Sequence, residues 1–325
     1  MVRLKKTSVR RSACVAILVA AVVSHGCSLS SMAVNAVLPT LVNPAVYLSE
    51  EDPELVRAAL PFLLKTIESI IDTDPEHGDA LAFANTGFLL YATAFLQHDA
   101  ALAEWEDYEL TRDLNNRALR MYLRARDFGI RAVELDHPGI SARLVREPST
   151  AVTAFEVNDV EALYYLGGAW MLGISLGLDQ PSLVADLPTA RALLDRAIEL
   201  DEDYNRGSLH AAFITLESVG EALGGSYVKA REHFERAVEL SEGLDAGPYV
   251  AMALGVSVAE ENRQEFVDLL ETAVAIDIEE EPSNRLLNTL AQQQARLLLR
   301  HTDDLFFAPL DEIDQDGSEV DQEIQ

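Results

Sequence analysis

One eleven-residue phrase recurs along this chain. It reads ARDFGIRAVEL at 125–135, ARALLDRAIEL at 190–200 and AREHFERAVEL at 230–240, with a worn copy, FVDLLETAVAI, at 266–276. A small residue stands first, a large apolar residue fourth or fifth, and a second small residue eighth. In the third copy these are Ala230, Phe234 and Ala237. Spacings of three and four keep them on one face of a helix, where alanines let a neighbouring helix approach. A unit of this kind cannot bury its own apolar face, so copies must stack on one another. The period is uneven: Ala132, Ala197, Ala237 and Ala273 share one slot at steps of 65, 40 and 36 residues. Arg191, Arg196, Arg231 and Arg236 lie off the stripe among Glu and Asp, as on a solvated face.

The phrase resembles the second helix of a tetratricopeptide repeat. Echoes of the first helix precede two copies, as Tyr164-x-x-Gly167-Gly168-x-x-Met171 and Tyr249-x-x-Met252-Ala253-x-x-Val256. Gly247-Pro248 starts the latter, since proline suits a first helical turn. Apolar periodicity predicts helices near 53–72, 78–98, 108–135, 157–177, 188–200, 206–223, 227–241, 248–260, 263–276 and 283–307. No segment alternates with period two. The expected fold is therefore all-α, a helical-hairpin array with cryptic tetratricopeptide-like repeats. Residues 137–156 form the longest stretch without a period. They either divide the body into halves or hang over a groove.

Residues 1–26 read as a targeting segment. Arg3, Lys5, Lys6, Arg10 and Arg11 precede an apolar run at 13–23 that is too short to span a bilayer comfortably. Gly26-Cys27 follows at once, as in a bacterial lipoprotein signal, which makes Cys27 the expected lipidation site. The alternative is a plain secretory signal cut near Ala33. Cys14 lies inside the signal, so Cys27 is the one cysteine left after cleavage and no disulfide forms within the chain. Ser28, in place of the aspartate that retains lipoproteins at the inner membrane, favours the outer membrane. The expected organisation is a signal at 1–26, a helical body at 27–308 and an acidic, disordered tail at 309–325.

The full chain has 25 basic and 54 acidic residues, a formal charge of −29. Without the five basic residues of the signal the charge is −34, a field that disfavours nucleic acid and anionic lipid.

Several motifs, in order, resemble the T component of tripartite ATP-independent periplasmic (TRAP) transporters. They are Tyr122-Leu-Arg-Ala-Arg-Asp127, Tyr164-Tyr-Leu-Gly-Gly-Ala-Trp170, Gly225-Ser-Tyr-Val-Lys-Ala-Arg-Glu-His-Phe-Glu-Arg-Ala237, Gly247-Pro-Tyr-Val250 and Asn284-Arg-Leu-Leu-Asn-Thr-Leu-Ala-Gln292. Gln293-Gln294 depart from the pattern, standing where relatives often carry two arginines. The resemblance implies a lipid-anchored periplasmic accessory of a TRAP importer. Its expected partners are the importer's solute-binding protein, a small organic-acid or hydrophobic ligand, and further copies of the chain, with a trimer as the expected assembly. A general tetratricopeptide lipoprotein scaffold for envelope assembly is the alternative.

Candidate ligand residues fall in two places. Tyr164, Tyr165 and Trp170 lie on a helix whose glycines, Gly167, Gly168, Gly173 and Gly177, each cost roughly 1 kcal/mol relative to alanine. Close helix contact or an open channel would offset that cost, and Tyr249 is expected to border the same channel. In the last helix Arg285, Asn288, Gln292 and Arg296 form one polar stripe after Asn284. It is either an outer face or a groove in which Arg285 or Arg296 grips a carboxylate. Gly173-Ile-Ser-Leu-Gly177 matches the nucleophile elbow of serine hydrolases, but Ser175 falls in a helical pattern with no strand before it. No metal-binding or cofactor-binding motif is present, so neither is expected.

Overall fold

The computed structural model describes residues 42–220 and 224–306, with Leu38 and Thr40. Cys27, the targeting segment and the tail at 309–325 lie outside the described residues. Among the described residues ten long helices follow one another: α1 (Pro53–Thr73), α2 (Gly78–Ala103), α3 (Tyr108–Asp136), α4 (Val160–Leu176), α5 (Leu187–Leu200), α6 (Tyr204–Glu217), α7 (Tyr227–Leu240), α8 (Gly247–Ser257), α9 (Arg263–Ala275) and α10 (Arg285–Arg300). No strand occurs among the described residues. The fold is an all-α helical array, each helix starting within a few residues of its expected position.

Local chemistry sets the starts. Asp52, Asp107, Ser226 and Asn262 each accept a backbone N–H of the first turn, relieving donors the helix cannot satisfy itself. Helix α2 is long and apolar enough to cross a bilayer. In this fold it is a core helix, packed against α1 on one side and α3 on the other. A π-helical segment at Ala92–Gln97 interrupts it, and there Thr93 and Gln97 both meet the buried Tyr122 hydroxyl of α3.

The alanine slots are buried as the repeat requires. Ala125, Ala190 and Ala230 at the first position are buried, as are Ala197, Ala237 and Ala273 at the eighth. Ala132 is half-buried. Glycine serves the same close approach on α4, where a Cβ at Gly167 would stand 2.8 Å from the Leu194 side chain. The arginines of the repeat are more than a solvated face. Arg231 on α7 pairs with Glu265 of α9, Arg236 with Glu202 and Asp203 ahead of α6, and Arg191 on α5 with the buried Glu217 of α6. Each tie joins neighbouring helices.

Residues 137–156 neither divide the body nor hang over a groove. They fold into short helical turns at Ile140–Arg146, Pro148–Ala151 and Val152–Ala154. Ile140, Leu144, Ala151, Val152 and Phe155 are buried in one core with α4 and α5. Helices of seven and four residues are too short to show a period, which is why the pattern missed them.

The array also closes on itself. Leu286 and Leu290 of α10 share a core with Leu60 and Leu64 of α1 and Leu81 of α2. Arg285 donates to the Ser49 carbonyl at 3.0 Å, and His98 on α2 meets Gln293 at 3.1 Å. The last long helix therefore packs on the first two.

Ala237 is 1% exposed, and Gly207 of α6 lies so close that a Cβ there would stand 3.3 Å from the Ala237 Cα. Ala237→Glu should destabilise the protein by about 3 kcal/mol or more, because it forces a carboxylate into that contact. Urea unfolding checks this; a loss below about 0.5 kcal/mol would contradict the packing described.

Candidate functional site

Three tyrosines from two helices meet beside a loop carboxylate. Tyr164 and Tyr165 stand one turn into α4, and Tyr204 opens α6. The Tyr164 ring lies 5.0 Å from that of Tyr165, edge-on, and 5.5 Å from that of Tyr204, tilted. Ser208 Oγ donates to the Asn205 carbonyl at 2.9 Å and accepts from the Asn205 side-chain amide at 2.7 Å. The backbone after Tyr204 is unusual. Asn205, Arg206 and Gly207 have φ of 44°, 56° and 92°, a left-handed run that only glycine tolerates readily. Strain of this kind concentrates at functional positions.

The carboxylate belongs to Asp245, in the loop between α7 and α8. Glu242 and Gly243 turn that loop with φ of 55° and 74°. The buried Asn288 of α10 then holds it from below. Its Oδ1 accepts the Ala246 N–H at 2.8 Å, and its amide nitrogen donates to the Leu244 carbonyl at 2.8 Å. Asp245 Oδ1 accepts the Gly247 N–H at 2.9 Å, and the Asn284 side-chain amide donates to Asn288 Oδ1 at 3.2 Å. The Asp245 charge is felt by Tyr164 and by Tyr249, whose ring packs edge-on against Phe234 at 5.3 Å.

Tyr164, Tyr165, Tyr204, Ser208, Asp245, Tyr249 and Asn284 are all half-buried. Burial nevertheless raises the hydroxyl pKa of Tyr164, Tyr165 and Tyr204, most for Tyr204. Burial likewise raises the carboxyl pKa of Asp245, against the opposing pull of the Gly247 N–H, Asn284 and Arg206. Arg206 is itself tied to Glu281, Glu242 and the Ser241 carbonyl.

Of the expected ligand residues, Tyr164 and Tyr165 pack together with Tyr204, the charge of Asp245 acts on Tyr164 and Tyr249, and Asn284 donates to Asn288 Oδ1 at 3.2 Å. The others lie elsewhere or do other work. Trp170 is 4% exposed in the core between α4 and α5; its indole N–H donates to Asp186 at 3.2 Å and Arg126 covers its ring. Arg285 is engaged by Ser49, Glu51 and Glu279, and the exposed Arg296 donates to Gln292 at 3.0 Å. The polar stripe of α10 is neither an outer face nor an open groove at its centre, where Asn288 and Gln292 are buried. Gln292 donates to the carbonyls of Ala273 and Ile276 at 3.1 and 2.7 Å, closing the end of α9. Ser175 is inside α4 and its hydroxyl donates to the Leu172 carbonyl at 2.9 Å, so the strand-to-helix elbow is absent there.

Tyr204, Ser208 and Asp245 were missed. An acidic residue two before Gly247-Pro248 reads as a helix cap, and Asp245 does bond the Gly247 N–H. Its effect on the tyrosines depends on the loop and on α10, far away in sequence.

A family model described as TRAP transporter T-component matches residues 49–306. A protein of Treponema pallidum (strain Nichols), described only as an uncharacterized protein, is 27% identical over 266 residues, covering 80% of this chain and 82% of the relative.

The raised pKa of Asp245 has a definite sign. The folded state binds its proton more tightly than the unfolded state, so this group lowers stability above its folded pKa and the penalty lifts as pH falls toward the unfolded value. Asp245→Asn, which keeps an acceptor for Gly247, should raise the melting temperature at pH 7. The gain should shrink as the pH is lowered through the carboxylate range. Melting curves across pH test this; a lower melting temperature at pH 7 would mean that the charge is stabilising.

Proposed function

The chain belongs to the TRAP transporter T-component family, and on that premise we propose that it is a lipid-anchored periplasmic subunit that docks the importer's solute-binding protein and holds a small ligand beside Tyr164 and Asp245. The coarse role is that of an accessory component of a TRAP transporter in the cell envelope. Lipidation of Cys27 would fix the chain to the membrane, the outer membrane before the inner. Assembly of several copies, three by expectation, would belong to the same reading.

The observation that carries the ligand part is the packing of Tyr164 against Tyr165 and Tyr204 beside a left-handed backbone run at 205–207, with the charge of Asp245 acting on Tyr164. A core built only for stability has little reason to set a partly accessible carboxylate near tyrosines and to strain the backbone beside it. The organic-acid grip expected of Arg285 and Arg296 has less support, since both guanidiniums already bond oxygens of this chain. Nor is a hydrolytic role proposed, the Ser175 hydroxyl being spent within its own helix.

Affinity capture of the tagged, full-length chain from envelope extract distinguishes the two readings of its partners. The solute-binding protein of a TRAP importer should co-purify, and Cys27→Ser should shift the bait from the membrane to the soluble fraction. Enrichment of envelope-assembly proteins alone would favour a general scaffold.

A further inference from the structure

Helices α6 and α7 form an antiparallel hairpin whose seam can be followed contact by contact. At one end a Cβ on Gly207 would stand 3.3 Å from the Ala237 Cα. At the other the Ser226 N–H donates to the Glu217 carbonyl at 2.9 Å. Between them Ile214 and Ala230 are buried in one core, and His210 meets His233. The two Nδ1 atoms are 2.9 Å apart, and the rings lie 5.1 Å from centre to centre. Two ring nitrogens at that distance form a hydrogen bond only if one carries a proton and the other does not. His210 is 7% exposed, and its Nε2 is buried without a partner. His233 is half-buried and stacks on the buried Phe213 at 4.9 Å.

One added proton suits this arrangement, since an imidazolium Nδ1–H still finds a bare Nδ1. A second does not. Both Nδ1 atoms would then be donors, with like charges opposed where little water reaches. The carboxylates in reach are already engaged. Glu217, 1% exposed, accepts from Arg191 of α5 at 2.5 Å, and Arg191 also holds Asp195. The other Glu217 oxygen bonds neither ring. Glu202 and Asp203, ahead of α6, accept from Arg236 of α7 at 2.9 and 2.8 Å. Both arginines, and Lys229 on α7, add positive charge around the pair. Helix α8 packs on the hairpin and carries no charged residue. Helix α4 carries only Glu161, which acts on Tyr165 and Tyr204 instead.

We propose that the His210–His233 contact is an acid-released latch between α6 and α7, closed while at least one Nδ1 is bare and opened when both rings are protonated. Burial pushes both imidazoles below the ordinary histidine range, His233 down to about 4. An opened or unfolded chain therefore binds protons that the closed seam refuses. The stability of the seam is full above the unfolded histidine value of about 6.5 and is lost as pH falls toward the folded values. This latch stands apart from the ligand reading and survives its failure.

NMR of the histidine ring nitrogens in the full-length wild-type chain reads the latch without a variant. At neutral pH one Nδ1 should be protonated and the other bare, with a coupling across the N–H···N bond. The rings should titrate in two steps about one pH unit or more apart, both below about 6.5, and the coupling should vanish at the second. Hydrogen exchange, corrected for its intrinsic pH dependence, reads the seam. Amides of α6 and α7 should lose protection about tenfold or more between about pH 7 and about pH 3.5. In His233→Gln, whose amide can still bond His210 but does not titrate, the loss should be less than about threefold. Two rings titrating independently near the ordinary value would overturn the proposal. So would a hairpin that keeps its protection once both rings are protonated. Equal losses in the wild type and a folded His233→Gln would also overturn it, because acid would then act through the carboxylates.

Discussion

Two buried amide side chains on the last long helix hold the second half of the molecule in register. Asn288 bonds both sides of the 244–246 loop, and Gln292 bonds the last carbonyls of α9. Neither can be replaced by an apolar group without leaving buried backbone N–H or C=O groups unpaired, at roughly 1–3 kcal/mol each. The two amides explain why a polar stripe runs through the middle of a core helix. They also give Asp245 its position, because it lies in the span that Asn288 clamps. Since α10 packs on α1 and α2 as well, the same helix ties that loop to the opposite end of the array.

Elsewhere the array depends on size. Where Ala197, Ala237 and Gly167 stand, helices approach closely, and dispersion between close-packed side chains replaces any large polar network. Ion pairs such as Arg231 to Glu265 and Arg236 to Asp203 lie nearer the surface, where their worth is modest. They set orientation between helices more than they set stability. The Asp245 loop departs from this economy. A partly enclosed carboxylate, with three non-glycine residues at positive φ, Asn205, Arg206 and Glu242, in the segments beside it, opposes folding and persists because the surrounding contacts over-determine it.

The helices were legible in the sequence because their periods are long and their breaks are marked by Pro and Gly. The repeat phrase located the buried alanines for a reason that needs no alignment: only small residues at that spacing let a second helix seat. The turns at 140–154 were not legible, since a helix of seven residues shows two apolar positions and no period. Closure of α10 on α1 was hidden for another reason. Leu286 and Leu290 look alike whether they face α9 or α1, and the choice is made by packing across more than two hundred residues. At the site, Tyr164, Tyr165, Tyr249 and Asn284 carried a signal through their aromatic and amide character. Asp245 did not, because an aspartate ahead of Gly247-Pro248 is fully explained as a cap.

The central claim is that Asn288 orders the loop that presents Asp245, and hydrogen exchange at the Ala246 amide reads it directly. In the wild-type protein this N–H is buried and bonded to Asn288 Oδ1 at 2.8 Å, so it should exchange far more slowly than an open loop amide. In Asn288→Ala its protection should fall sharply, while amides in α2 and α3 keep theirs. Equal protection of Ala246 in the two proteins would contradict the account, because the loop would then hold its form without the helix said to impose it.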